Sequence, residues 1–300
     1  MLVTRRAGRL VLITQPEHAR LAGDLATSWG NQHFAVPAPR EALICAATHH
    51  DDGWLELDGV PAYNPAQRRP AHFTELPLQQ TVGPYARGVE SVYARNEHAG
   101  ALVGMHFSGF YTGRWGLGGE PALENPLAAE VVASQERRWM PALREVWAYR
   151  GPRSRFDADT WHAYEVLQAL DLMSLAIGLM DLSRPGGSGG PGDGGGDRAG
   201  SQGPVAVQST LSSVDQASGP RLVDAVPVAI GAERVELRLT VTAPGRLVVE
   251  PYPFAAAELE LTLAARELED RAYGSPEEAA AGFHAAAVVM LPATIAPAAR

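Results

Sequence analysis

Three hundred residues, 46% hydrophobic and 20% charged, make a globular chain long enough for one large or two ordinary domains. The net charge of -9 argues against a nucleic-acid backbone as the main partner, because phosphate binding by counterion release needs a basic face, and all 25 basic residues are arginine. One cysteine, Cys45, excludes an intramolecular disulfide; with no secretory leader and no apolar run near the roughly 20 residues of a membrane span, a cytoplasmic protein without a membrane partner is expected.

Leu2–Thr4 and Arg9–Ile13 read as short strands about a turn at Ala7-Gly8, a hairpin too small to stand alone and in need of a larger sheet. Thr14-Gln15-Pro16-Glu17 has the spacing of a capping box and opens a helix that runs to about Trp29, where Gly30 ends it. On this helix His18 shares a stripe with Leu21, Ala22 and Leu25, where a lone histidine is more often a packed core residue than a ligand. The next apolar run, Ala42–Ala47, predicts a buried helix closing at Thr48-His49-His50-Asp51-Asp52-Gly53-Trp54, with Gly53 as its stop. Two imidazoles and two carboxylates make this the densest ligand chemistry in the chain. His50 shares a face with Leu43, Ala46 and Ala47, which turns it inward, and the carbonyls of a last helical turn favour a cation.

Residues 54–83 are rich in proline and have no sustained period, so Leu55–Pro77 is expected to cover the site, with Trp54 and Tyr93 lining it. Tyr85–Phe110 returns to helical spacing and places His106 on a face with Ala99, Leu102 and Val103. Asn125–Tyr149 reads as an amphipathic surface helix. In Trp161–Met180, Asp171 interrupts the stripe of Tyr164, Leu167 and Leu175. An unpaired buried carboxylate costs several kcal/mol, so Asp171 needs a metal or a buried arginine, and its own helix does not decide between them. The glycine-rich stretch 184–203 reads as a disordered linker. Beyond it Val235–Val241, Arg246–Glu250 and Glu258–Leu263 have the character of half-buried antiparallel strands. Ser275 caps a short helix, and Val288–Leu291 is a closing strand.

Ile13–Ala19 (ITQPEHA), His50–Trp54 (HDDGW), His106-Phe107 and Leu167–Asp171 (LQALD) resemble an uncharacterised bacterial domain-of-unknown-function family (family 3891). That family is itself similar to the HD-domain superfamily of metal-dependent phosphohydrolases, whose signature is a histidine, a distant His-Asp doublet and a later helical aspartate. The resemblance covers roughly residues 1–181, and more weakly Pro251–Phe254. It implies a mainly α fold: an HD-domain-like helical core over 1–183 with the N-terminal hairpin, a linker over 184–203, and a smaller antiparallel β-rich C-terminal part over 204–300, α+β overall. It also implies that His18, His50, Asp51 and Asp171 ligate a divalent ion (Mn, Fe, Co, Zn or Mg); His106 matches no position of that signature but is a further candidate ligand, because extra helical histidines hold a second metal in some members.

On this reading the chain is a hydrolase of a small-molecule phosphoester or nucleotide. Asp52 serves as base or orienting group, and Gln15, Trp54, Tyr93 and Gln168 contact ligands or substrate. An iron-dependent oxygenase on a related scaffold and a non-catalytic metal-binding or sensing module are the alternatives.

Overall fold

The first two strands, β1 (Leu2–Arg6) and β2 (Arg9–Ile13), pair antiparallel about Ala7 and Gly8. Both turn residues have positive φ, 49° and 76°, the conformation whose twist matches that of the flanking strands. The computed structural model of the chain describes residues 1–112, 124–148, 153–183 and 221–299; the glycine-rich stretch 184–203 lies outside them. Helices follow the hairpin: α1 (Gln15–Ser28), α2 (Arg40–His49), a short α3 (Leu55–Gly59), α4 (Leu78–Arg95), α5 (Glu97–Thr112), α6 (Pro126–Ala148) and α7 (Arg153–Leu179). A two-stranded ribbon, β3 (Tyr63–Asn64) with β4 (Arg69–Pro70), lies between α3 and α4. The last part of the chain forms β5 (Arg221–Pro227), β6 (Arg234–Ala243), β7 (Arg246–Glu250), β8 (Leu259–Glu269), α8 (Pro276–Ala285) and β9 (Val288–Pro297).

The expectation of a mainly α fold is overturned by the sheet. Seven strands form one curled sheet in the order β1-β2-β8-β9-β7-β6-β5, and about half of the molecule is helical. The N-terminal hairpin enters this sheet through β2, which pairs with β8 from Arg9↔Glu269 to Leu12↔Arg266. The C-terminal strands are not all antiparallel either, because β7 and β9 run parallel, with Leu247 opposite Ile295. The reason is topological: β9 lies between β7 and β8, which run in opposite directions, so it must be parallel to one of them. Along β8 burial alternates, with Leu259, Leu261, Leu263 and Ala265 inward, as a pleated strand with one covered face requires.

Helix α1 lies against this sheet. Thr14 Oγ1 accepts the Glu17 N–H at 3.3 Å, as the capping motif predicts, but the Glu17 carboxylate does not close the box. It accepts the Ala264 N–H of β8 at 2.7 Å and so ties the first helix to the sheet. At the other end of α1, Trp29 packs edge-on to Phe34 and Phe254, and the Gly30 N–H donates to the Pro253 carbonyl at 2.9 Å.

Helix α5 is the central one: every residue from His98 to Tyr111 is buried. The continuous helix expected over Tyr85–Phe110 is two helices, because Asn96 leaves helical geometry (φ −155°) and its Oδ1 accepts the Ala99 N–H at 2.9 Å, capping α5. Among the described residues no helix is long and apolar enough to cross a membrane.

Candidate metal centre

The stretch around His50 is shaped by close packing and not by the glycine stop expected at position 53. Helix α2 ends at His49, and Asp52–Trp54 form a short 3-10 turn in which Gly53 has no positive φ. Gly53 is needed because α4 crosses directly over it: a Cβ there would collide with the Pro84 carbonyl and the Gly88 nitrogen. A Cβ at Gly88 would in turn lie 2.7 Å from the His50 carbonyl oxygen. This contact presses the His50-Asp51 doublet into the core, where both side chains are buried.

Three histidines from three helices meet there: His18 of α1, His50 at the end of α2, and His106 of α5. Each has its Nδ1 fixed by a neighbour. His50 Nδ1 donates to the Ala47 carbonyl at 2.9 Å. His106 Nδ1 donates to Gln168 Oε1 at 2.5 Å; the Gln168 amide is oriented by its own donation to the Tyr164 hydroxyl at 2.7 Å. His18 Nδ1 lies 2.9 Å from Ser174 Oγ, which accepts because its own proton goes to the Asp171 carbonyl at 2.8 Å. With every Nδ1–H spoken for, each ring presents Nε2 to the interior.

The Nε2 atoms face two buried carboxylates. His18 Nε2 is 2.9 Å from Asp51 Oδ2, and His50 Nε2 is 3.8 Å from the same oxygen. His50 Nε2 is also 3.4 Å from Asp171 Oδ1, and His106 Nε2 is 3.7 Å from Asp171 Oδ2. Ligand atoms about 2.1 Å from one ion are about 3 to 4 Å apart, so the spacing fits a metal. Two triads meet the geometric requirement, His18/His50/Asp51 and His50/His106/Asp171. Both use His50, whose Nε2 has a single lone pair and can serve one ion at a time. The buried arginine partner considered for Asp171 is replaced by histidines: the basic side chains within 4 Å of its carboxylate among the described residues are His18, His50 and His106.

Asp51 Oδ1 is buried without a hydrogen-bond partner among the described residues, and His50 Nε2 reaches only a long contact of 3.4 Å to Asp171 Oδ1. Orphaned polar atoms at this depth call for an occupant. The electrostatics point the same way. Burial opposes charge on His50, yet Asp51 and the hydrogen bond to Asp171 outweigh it and raise its pKa to about 9. Burial would raise Asp171, but the hydrogen bond to His50, with the charges of His106 and His50, holds it at about 2. His106 is pushed down to about 4 by burial, which Asp171 only partly offsets. Two buried carboxylates attract positive charge, and a divalent ion displacing the His50 proton can supply it at either triad that shares His50.

Beside His18, Asp51, His106 and Asp171 is a cavity of about 20 Å³ that His50 does not line, walled also by Gln15, Tyr85, Phe73 and Phe110. Of the other residues expected to act here, Gln168 stands one step back, orienting His106. Asp52 is on the outer side of the turn, where its Oδ2 lies 3.0 Å from His49 Nδ1 and accepts from Arg95 at 3.1 Å. Trp54 is buried edge-on behind Tyr85, at 5.1 Å between centroids, and is not part of the cavity wall. Tyr93 packs on α6 with the Arg138 guanidinium 4.2 Å above its ring, away from the cavity. From the segment Leu55–Pro77, Phe73 reaches the cavity, while Leu55, Asp58 and Gly59 line a separate surface groove of about 330 Å³.

Sequence reasoning missed Tyr85. The signal was present: Thr81, Tyr85, Val89 and Val92 make the buried face of α4, and Tyr93, two turns and about 80° further round from Tyr85, is off it. Ser174 and the Ala47 carbonyl were also missed as supports of the rings.

The model of a family described as Protein of unknown function (DUF3891) matches residues 1–270, so the chain belongs to that family. No curated protein and no solved structure matches the chain.

Proposed function

We propose that this family member is a divalent-metal-dependent hydrolase of a small phosphoester or nucleotide, with His18, His50, Asp51, His106 and Asp171 as the residues that hold its ion. The observation behind the reading is the common orientation of the three imidazoles: Nδ1 tied to Ser174, Ala47 and Gln168, Nε2 turned toward two buried carboxylates. The mixed nitrogen and oxygen set suits Mn, Fe, Co, Zn or Mg better than copper or a thiolate-bound metal. When bound, such an ion supplies Lewis-acid polarisation of a phosphoryl oxygen and of the attacking water. Ser174, Ala47 and Gln168 hold the rings in place, and the apolar wall of Phe73 and Phe110 keeps bulk water out, which strengthens every charge interaction inside. The likeness of His18, the His50-Asp51 doublet and Asp171 to the HD-domain signature favours a phosphoester over other substrates.

The cavity size favours a second reading. About 20 Å³ admits an ion or a water molecule and no organic substrate, which suits a metal-binding module without turnover. A panel of p-nitrophenyl phosphate, its diester and the common nucleotides, assayed with and without added Mn(II), Co(II) or Zn(II), separates the two. Metal-dependent turnover that is lost in His50→Gln supports the hydrolase; a tightly held ion with no turnover across the panel supports the module.

A further inference from the structure

Beyond the ligand side chains, the cavity wall is apolar except at Gln15 and Tyr85. Gln15 is buried, and its Oε1 has no hydrogen-bond partner among the described residues. Its position is fixed, since it opens α1 and its backbone N–H donates to Asp58 Oδ2 at 2.5 Å. An acceptor buried in this way needs a donor that the protein fold does not supply. Tyr85 is the complementary group. Its phenol carries a proton to give at neutral pH, and its ring is held by Trp54, Phe107 and Phe110 at centroid distances of 5.1, 5.0 and 5.1 Å. Both residues line a space of about 20 Å³ together with the candidate ligands His18, Asp51, His106 and Asp171. His50, which both candidate ion triads share, does not line it, so the space is left to a single water-sized species next to the ion.

We propose that Tyr85 and Gln15 are positioning residues for a hydroxylic molecule seated beside the ion: the Tyr85 O–H donates to its oxygen, and Gln15 Oε1 accepts its proton. This rests on the metal reading but concerns two side chains outside the ligand set. Fluoride tests it, because it is the size of one oxygen and accepts a hydrogen bond but has no proton to give. The wild-type protein is loaded with Mn(II), with occupancy read by electron paramagnetic resonance, and fluoride affinity is read from the water-proton relaxation rate.

Tyr85→Phe is expected to keep its Mn(II) and bind fluoride about tenfold more weakly. Gln15→Met is expected to keep Mn(II) and to bind fluoride as tightly as wild type or more tightly, because its lost acceptor had nothing to receive from the anion. Equal fluoride affinity in wild type and Tyr85→Phe overturns the proposal, as does weakened fluoride binding in Gln15→Met. Loss of Mn(II) from either folded variant also overturns it, since that residue would then be a ligand. If circular dichroism shows Tyr85→Phe unfolded, the Gln15→Met arm decides alone. A wild-type protein that takes up no Mn(II) counts against the metal reading itself and is distinguished at the loading step.

Discussion

His72 shows how much the state of one buried ring matters. Its Nδ1 accepts the Thr74 N–H at 3.3 Å, so the cap it provides requires a neutral imidazole. Burial, reinforced by the nearby Met1 ammonium, pushes its pKa down to about 3. The folded state thus binds fewer protons than the unfolded chain between pH 6.5 and about 3, and stability is lost as pH falls through that window. Each unit of separation corresponds to about 1.4 kcal/mol. His72→Asn, which keeps a capping acceptor without titrating, should flatten the fall of the denaturant midpoint between about pH 6.5 and 4.5, with His106 leaving a residual slope. An unchanged slope would mean that His72 does not titrate with folding.

At this same scale the members of the buried His/Asp cluster were legible in the sequence, because a polar side chain on an apolar helical face has few bland explanations. His18, His50, Asp51, His106 and Asp171 meet in space for that reason. Asp52 and Tyr93 were not legible, since the direction of a side chain at a helix end or beside a stripe depends on the turn that follows.

Among the elements, the crossing of α4 over the 52–54 turn decides whether the doublet is presented at all. Gly53→Ala drives a methyl group into the Pro84 carbonyl and the Gly88 nitrogen, which are backbone atoms and cannot swing aside. A loss of about 3 kcal/mol or more in unfolding free energy is expected, with weaker metal binding because His50 and Asp51 move with the turn. Gly59→Ala is the control: nothing lies within 4 Å of a Cβ there, and its effect should stay within about 0.5 kcal/mol. Denaturant titration of both variants checks this, and similar stability would show that α4 can yield. The helix over 15–28 and its cap were readable because capping is local. The break at Asn96 was not, because apolar spacing continues across it.

For the molecule as a whole, the sheet joins the two ends of the chain. Strand β2 pairs with β8, and Glu17 accepts from Ala264 across a separation of 247 residues. Period-two alternation revealed individual strands but carries no register between distant segments, which is why a helical domain with a β-rich appendage was expected in place of one seven-stranded sheet. Because α1 carries His18 into the site while Glu17 holds it to β8, Glu17→Ala should cost about 1 to 2 kcal/mol. Unfolding should remain a single transition whether followed by tryptophan fluorescence or by far-ultraviolet circular dichroism, and two separated transitions would show that helices and sheet are not coupled.

The central claim, that these helices and the sheet behind them build a buried site for a divalent ion, is tested most directly by elemental analysis of protein purified without chelator and reloaded by dialysis. The structure predicts about one equivalent of a first-row divalent metal in the wild type and in Asp52→Asn, and less than about a tenth of that in Asp171→Asn. A wild-type protein that remains metal-free, or equal retention by Asp171→Asn, would contradict it.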